Sequence, residues 1–398
     1  MKPLRRFVVS VMLLCLVFGL AVTDSSAKEG VTINVYNWGQ YISDGTDGYL
    51  DVNAAFTAET GIQVNYMTFD SNETMYTKLK TGGSSYDIII PSDYMIGRLI
   101  EEGMLQELNF DNIPNYQYVG ESYKNTAYDP ENRYSIPYTW GTVGIIYNKK
   151  YVAEEDLGSW DLLWNEKYSG KILMFDNPRD AFGAAELKLG YSLNESSDAA
   201  LNACAELLKQ QKPLVQDYVM DQVYSKMQHE EAWIAPYYAG DYLQMVTENE
   251  DLGFYFPKEG FNLYIDAICI PTSAQNKTAA EAYINFLCRP DISGQNLDYI
   301  GYSTPIEGAT EYMDEEMAAS SIAYPDESVL ARGQNYLALS QETVQKMDSL
   351  WLGVKTDSGS NKVLIFGLIG VAVVVILLVL LLIRRRNKMK KRRSMYRQ

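Results

Sequence analysis

A chain of 398 residues is too long for one simple hydrophobic core, so its length predicts two domains. Asp and Glu outnumber Lys and Arg by 51 to 34, a net charge of −17, which excludes the broad basic surface of a nucleic-acid binder. With His229 as its only histidine, the chain cannot carry a His-based catalytic triad or a His-rich metal centre.

Residues 1–27 carry Lys2, Arg5 and Arg6, an apolar run from Phe7 to Val22, and small residues ending at Ala27. That layout predicts a secretory signal peptide cleaved near Ala27. The run "VTINVYNW" (31–38) alternates as a strand, and "GYLDVNAAFTAETG" (48–61) follows as an amphipathic helix stopped by glycine. "IQVNYMTF" (62–69) is the next strand, and "SNETMYTKLKTGG" (71–83) a helix opened by a Ser/Asn cap. "YDIIIPS" (86–92) reads as a short strand buried on both faces of a parallel sheet, followed by the helix "DYMIGRLIEEGML". Strands alternating with helices predict a parallel, doubly wound α/β domain.

"YSIPYTWGTVGIIYNKK" (134–150) is a long extended segment leading into a second α/β series. "SWDLLWNEKYSG" (159–170) is predicted as helix, "KILMF" as strand and "DAFGAAELKLGYSL" as helix. "EEAWIAPYY", "GFYFP" and "LYIDAICIP" (263–271) follow, and residues 278–301 read as helix broken at Pro290. Residues 353–362 are expected to be a stalk. "VLIFGLIGVAVVVILLVLLLI" (363–383) is 21 uncharged residues, enough to span a bilayer, and nine Lys/Arg follow among the last 15 residues. Basic charge marks the cytoplasmic side and a contact for anionic lipid, so 28–362 should lie outside. That external part holds 22 Lys/Arg against 50 Asp/Glu, a net of −28. Cys204, Cys269 and Cys288 show no disulfide or zinc spacing and read as buried thiols or one bridge.

In open α/β sheets ligands sit beyond the carboxyl ends of strands. Those ends here are Trp38–Tyr41, Ser92–Tyr94, Asp176–Asp180, Tyr237–Asp241 and Tyr264–Asp266. They hold aromatics and carboxylates with no nucleophile–base pair. Carboxylates among Trp and Tyr faces suit an ammonium on a methylene chain. Taken singly, Asp93 and Asp180 also suit a helix cap.

The chain resembles the spermidine/putrescine-binding proteins of polyamine ABC transporters. The resemblance is carried by "YNWGQY", "SNETMYTKLKTGGSSYDIIIPSDY", "YSIPYTWGTVGIIYN", "SWDLLW", "FDNPRDAFG", "YIDAICIP", "NFLCRPD" and "IGYSTP", spread over residues 31–330. It implies a type II periplasmic-binding-protein fold, with two doubly wound lobes, a hinge and an interlobe cleft. Lobe 1 would take residues 28–140 and 266–309, and lobe 2 residues 141–265 and 310–352. It also implies a non-enzymatic receptor without cofactor or metal, a monomer that hands polyamine to permease subunits. By this resemblance Trp38, Tyr41, Ser92 and Tyr94 line the ligand from lobe 1. Asp180 holds a terminal amine, Tyr238 and Tyr264 stand where the family often has Trp, Asp266 pairs with an ammonium, and Tyr302 closes the far side. Gln334 or Tyr336 would be a further contact. The family often has an acid where this chain has Gln40 and another where it has Asn177. Asp93 and Asp241, each beside a matched position, are expected to compensate, which leaves the choice between putrescine and spermidine open. Two other readings exist: a ferric-ion binder using Tyr237 and Tyr238, and an extracellular glycosidase with paired carboxylates.

Overall fold

The computed structural model describes residues 30–82 and 85–357. Its strands are β1 (Thr32–Trp38), β2 (Gln63–Phe69), β3 (Ile88–Ile89), β4 (Ser135–Asn148), β5 (Ile172–Phe175), β6 (Val215–Val219), β7 (Ile234–Tyr238), β8 (Leu252–Tyr255), β9 (Phe261–Cys269) and β10 (Gly333–Gln334). Two compact units result. The first holds the chain up to Thr142, Tyr238–Gln244 and Leu263–Ala338; the second holds Val143–Tyr237, Met245–Asn262 and the chain from Leu339. Tyr238, Tyr264 and residues 310–338, expected in the second lobe, all fall in the first unit.

In the first unit β1 runs parallel to β2 and to β3, as the alternating pattern implies. The helix Val52–Thr60 between β1 and β2 starts on Asp51, whose side chain accepts from Ala54 N at 2.8 Å, and stops at left-handed Gly61. Its Phe56 is fully buried edge-on to Tyr283 (4.9 Å), a burial worth about 2 kcal/mol. The helix Asn72–Thr81 is capped by Ser71. Ile88, Ile89 and Ile90 are buried, so the apolar run is a core strand. The wholly parallel expectation fails at the next position: β9 joins β3 antiparallel and then pairs antiparallel with β4 from Ser135 to Thr142. Lys277–Leu287 and Pro290–Ile300 are separate helices, with Pro290 opening the second and left-handed Gly301 closing it.

In the second unit β5 runs parallel to β6 and β7, and β8 is antiparallel to β4 from Ile145 to Asn148. Residues 159–170 are not an α-helix but two 3-10 turns, Trp160–Trp164 and Glu166–Tyr168. The side chains of Ser159 and Asn165 each accept from the amide two residues on, which favours tight turns over a continuing helix. The helices Pro178–Lys188, Asp198–Gln211 and Gln341–Thr356 pack together. Trp351 stands edge-on to Tyr218 at 5.3 Å, and the Lys355 ammonium lies 2.6 Å from Asp176. Residues 353–356, expected as stalk, are therefore the last turn of a docked helix.

Cys204, Cys269 and Cys288 are buried free thiols. Among the described residues no helix is long and apolar enough to cross a membrane. The signal peptide at 1–27, the span at 363–383 and the basic tail at 384–398 lie outside the described residues.

Candidate functional site

In the first unit, cross-strand pairing builds the candidate site. Tyr264 and Asp266 alternate along β9 and so share a face, where β4 sets Gly141 opposite Tyr264 and Thr139 opposite Asp266. Asp266 is 4% exposed, and a carboxylate buried so deeply needs hydrogen-bond donors. Tyr41, at the turn after β1, donates its hydroxyl proton to Asp266 Oδ2 at 2.7 Å. The Thr139 hydroxyl lies 2.5 Å from the same Tyr41 oxygen. Because the single Tyr41 proton points to Asp266, Thr139 is the donor in that contact. Burial first, and the Asp266 charge second, push the Tyr41 hydroxyl well above its ordinary range, so it stays protonated.

Rings frame this carboxylate. Tyr302 meets Tyr41 edge-on at 4.8 Å and donates to Asp241 Oδ2 at 2.6 Å. Tyr238 meets Tyr264 edge-on at 5.5 Å. Two glycines make room: a Cβ on Gly141 would lie 2.5 Å from the Tyr264 oxygen, and one on Gly240 would lie 2.4 Å from the Tyr302 ring. Their absent side chains are part of the site.

Ser92 forms an antiparallel bridge with Asp266, so the residues after β3 join the same strand end. Asn72 fixes them, donating to Ser92 Oγ and Tyr94 Oη, each at 3.1 Å, and accepting from Ser92 N at 3.2 Å. Tyr94 donates to Glu73 at 2.9 Å and stands edge-on to Tyr336 at 5.9 Å. Asp93 is buried and accepts from the Tyr94 amide. Gln334 lies on β10, which pairs with β9. Trp38 is half-buried on Phe69 at 4.6 Å, and its Nε1 has no hydrogen-bond partner among the described residues. Gln40 is exposed and left-handed, with φ 49°.

Asp180 and Asn177 belong to the second unit. The cap of helix Pro178–Lys188 is Asn177, not Asp180: Asn177 Oδ1 accepts from Asp180 N at 2.8 Å. Asn177 Nδ2 in turn donates to Asp180 Oδ2 at 2.6 Å, fixing a carboxylate that is 8% exposed. Tyr237 stacks on Phe175 within this unit, whereas Tyr238 packs on Tyr264 within the first. Adjacent strand residues face opposite ways, so the tyrosine pair of the ferric-ion reading does not form one ligand set.

Thr139 and Asn72 were not singled out from the sequence. Both lie in strongly patterned stretches, but their significance comes from partners far along the chain, Asp266 for Thr139 and Ser92 for Asn72. The first unit thus joins a buried carboxylate, a fixed phenol donor and several ring edges, an arrangement that attracts cations and offers no activated nucleophile.

Residues 52–325 match the family of bacterial extracellular solute-binding proteins. The chain is 34% identical over 316 residues to the spermidine/putrescine-binding periplasmic protein of Escherichia coli (strain K12), covering 79% of this chain and 89% of that one. It is similar to a solved structure from Listeria monocytogenes assigned to spermidine/putrescine ABC transport, at 36% identity and a TM-score of 0.78, covering 82% and 99% of the two chains. The spermidine/putrescine ABC transporter substrate-binding protein from Streptococcus pneumoniae is 37% identical, with a TM-score of 0.69 and the same coverage. These relatives are solute-binding proteins of transporters, so the chain is a binding protein and not an enzyme. With a periplasmic-binding-protein-like α/β fold, it belongs to the bacterial extracellular solute-binding protein family.

Proposed function

We propose that this chain is a membrane-tethered extracellular receptor that captures putrescine, spermidine or both and delivers them to an ABC transporter permease. The observation that carries the reading is Asp266, a buried carboxylate held by Tyr41 and flanked by Tyr264 on one face of the first unit. A polyamine supplies what that face favours: an ammonium for the acid and methylenes for the rings. The −28 external charge draws such cations in at long range. The names of the relatives support the ligand class and the transporter. The apolar run at 363–383 with its basic tail supports the tether. Trp38, Ser92, Tyr94, Tyr238 and Tyr302 belong to the same proposal, as do Asp93, Asp241 and Gln40. Asp180 and Asn177 of the second unit enter it through the resemblance alone.

Calorimetry on the purified chain with putrescine, spermidine and a panel of sugars tests the reading. Submillimolar binding of a polyamine without sugar binding is expected. Binding of neither polyamine below the millimolar range overturns it. Asp180→Asn, titrated with the same ligands, tests the second-unit carboxylate separately.

A further inference from the structure

Asn296 lies on the helix Pro290–Ile300, is 1% exposed, and carries none of the ring or charge chemistry of the site. A buried amide must place all its polar atoms. Its Oδ1 accepts from Ser43 N at 2.9 Å, and its Nδ2 donates to Tyr138 Oη at 2.8 Å. Tyr138 Oη in turn donates to the carbonyl of Tyr41 at 2.8 Å. One side chain therefore grips the 41–43 turn twice, directly at Ser43 and through Tyr138 at Tyr41. The direction of this chain is fixed. A phenol has one proton, and because Asn296 Nδ2 donates to Tyr138 Oη, that proton is left for the Tyr41 carbonyl.

We infer that Asn296 is a positioning residue for ligand capture, which through Tyr138 holds Tyr41 where its hydroxyl donates to Asp266. The Thr139 contact fixes the hydroxyl end of Tyr41; at the backbone end the shorter bond is the one Asn296 sets through Tyr138, beside a longer one from Asn37 Nδ2. This rests on the polyamine reading above, but the placement of the Tyr41 proton is a property of the unliganded protein as well.

Asn296→Asp keeps the acceptor for Ser43 N and removes the donor to Tyr138. Tyr138 can then turn its proton to the new carboxylate, which leaves the Tyr41 carbonyl with only the longer bond from Asn37 Nδ2 at 3.4 Å. Tyr138→Phe breaks the same chain without touching Asn296 and serves where the first variant folds poorly. Titration of the full chain with putrescine and spermidine should show each variant weakened roughly tenfold, the scale of one lost hydrogen bond. In a Tyr41→Phe background, where no hydroxyl remains to be placed, adding Asn296→Asp should cost no further affinity, although any loss of thermal stability persists. Wild-type affinity in both variants, or an undiminished loss on top of Tyr41→Phe, overturns the inference. The ligand-free readout is the Tyr41 hydroxyl proton in NMR, identified by its absence in Tyr41→Phe. It should shift upfield in Asn296→Asp, and an unmoved resonance overturns the inference even if the wild-type chain binds no polyamine.

Discussion

Glu186 offers a test of the second unit that needs no ligand. It sits inside the helix Pro178–Lys188, is 1% exposed, and its Oε1 has no hydrogen-bond partner among the described residues. Burial raises its carboxyl from the ordinary 4.5 to about 8; Arg179 pulls the value back and Glu195 adds to the rise. The folded protein thus keeps a proton that the unfolded chain has released. The stability from that proton is complete below about pH 4.5 and is lost as pH climbs through about 8. The gap between 4.5 and 8 is 3.5 units. At about 1.4 kcal/mol per unit it amounts to about 5 kcal/mol. Glu186→Gln keeps the shape and cannot ionise. Urea unfolding of both proteins at pH 5, 6, 7 and 8, followed by tryptophan fluorescence, should show little difference at pH 5. The advantage of the variant should then grow by about 1.4 kcal/mol per pH unit, approaching 4 kcal/mol at pH 8. Parallel pH profiles for the two proteins would refute the reasoning, because they would mean that Glu186 does not gain a proton on folding.

Asp266→Asn removes the buried charge while leaving an acceptor for Tyr41, and calorimetry should show polyamine affinity reduced by at least about thirtyfold, the low end for breaking a buried charged pair. Unchanged affinity would mean that the ammonium sits elsewhere. Gly240→Ala puts a methyl 2.4 Å from the Tyr302 ring and should cost about 1–3 kcal/mol in unfolding free energy by displacing that ring from Asp241. Scanning calorimetry with and without putrescine measures both the stability loss and the accompanying loss of ligand protection. Burial pushes the thiols of Cys204 and Cys288 up to about 12, and that of Cys269 well above its ordinary value. A thiol reagent at pH 8 should leave all three unlabelled in the folded chain and modify them in urea, as mass spectrometry would show.

Much of this was legible because local physics and tertiary structure agree. The strand β1, the glycine stop at Gly61, the Ser71 cap and the buried isoleucines of β3 each follow from spacing or from one residue's conformational preference. The helix Asp198–Gln211 and the docked helix Gln341–Thr356 were not read, although Cys204, Leu208, Met347 and Trp351 mark their buried faces. Both are amphipathic helices whose apolar positions are widely spaced among polar residues, a weaker signal than the dense apolar runs of the strands. The antiparallel entry of β9 beside β3 was hidden for a different reason. A wholly apolar run such as "AICI" fits either direction, and only the partner decides.

The site separates the two kinds of information further. Strand-end chemistry shows which residue types collect at the edge of a sheet, and so Tyr41, Tyr264 and Asp266 stand out, whereas Tyr302 comes from the family resemblance alone. It does not show which strand ends are neighbours. Tyr41 and Asp266 are 225 positions apart and Thr139 lies between them, yet all three share a continuous hydrogen-bonded chain because β9 pairs with β4 in one register. A slip of one residue in that register would turn Tyr264 and Asp266 to the other face together. Gly141 is set against such a slip: opposite Tyr264 it leaves room for the phenol, which a side chain there would exclude. Gly141 is therefore what lets the tyrosine lie across β4, and in the same register the acid two residues on lies against Thr139 and Tyr41.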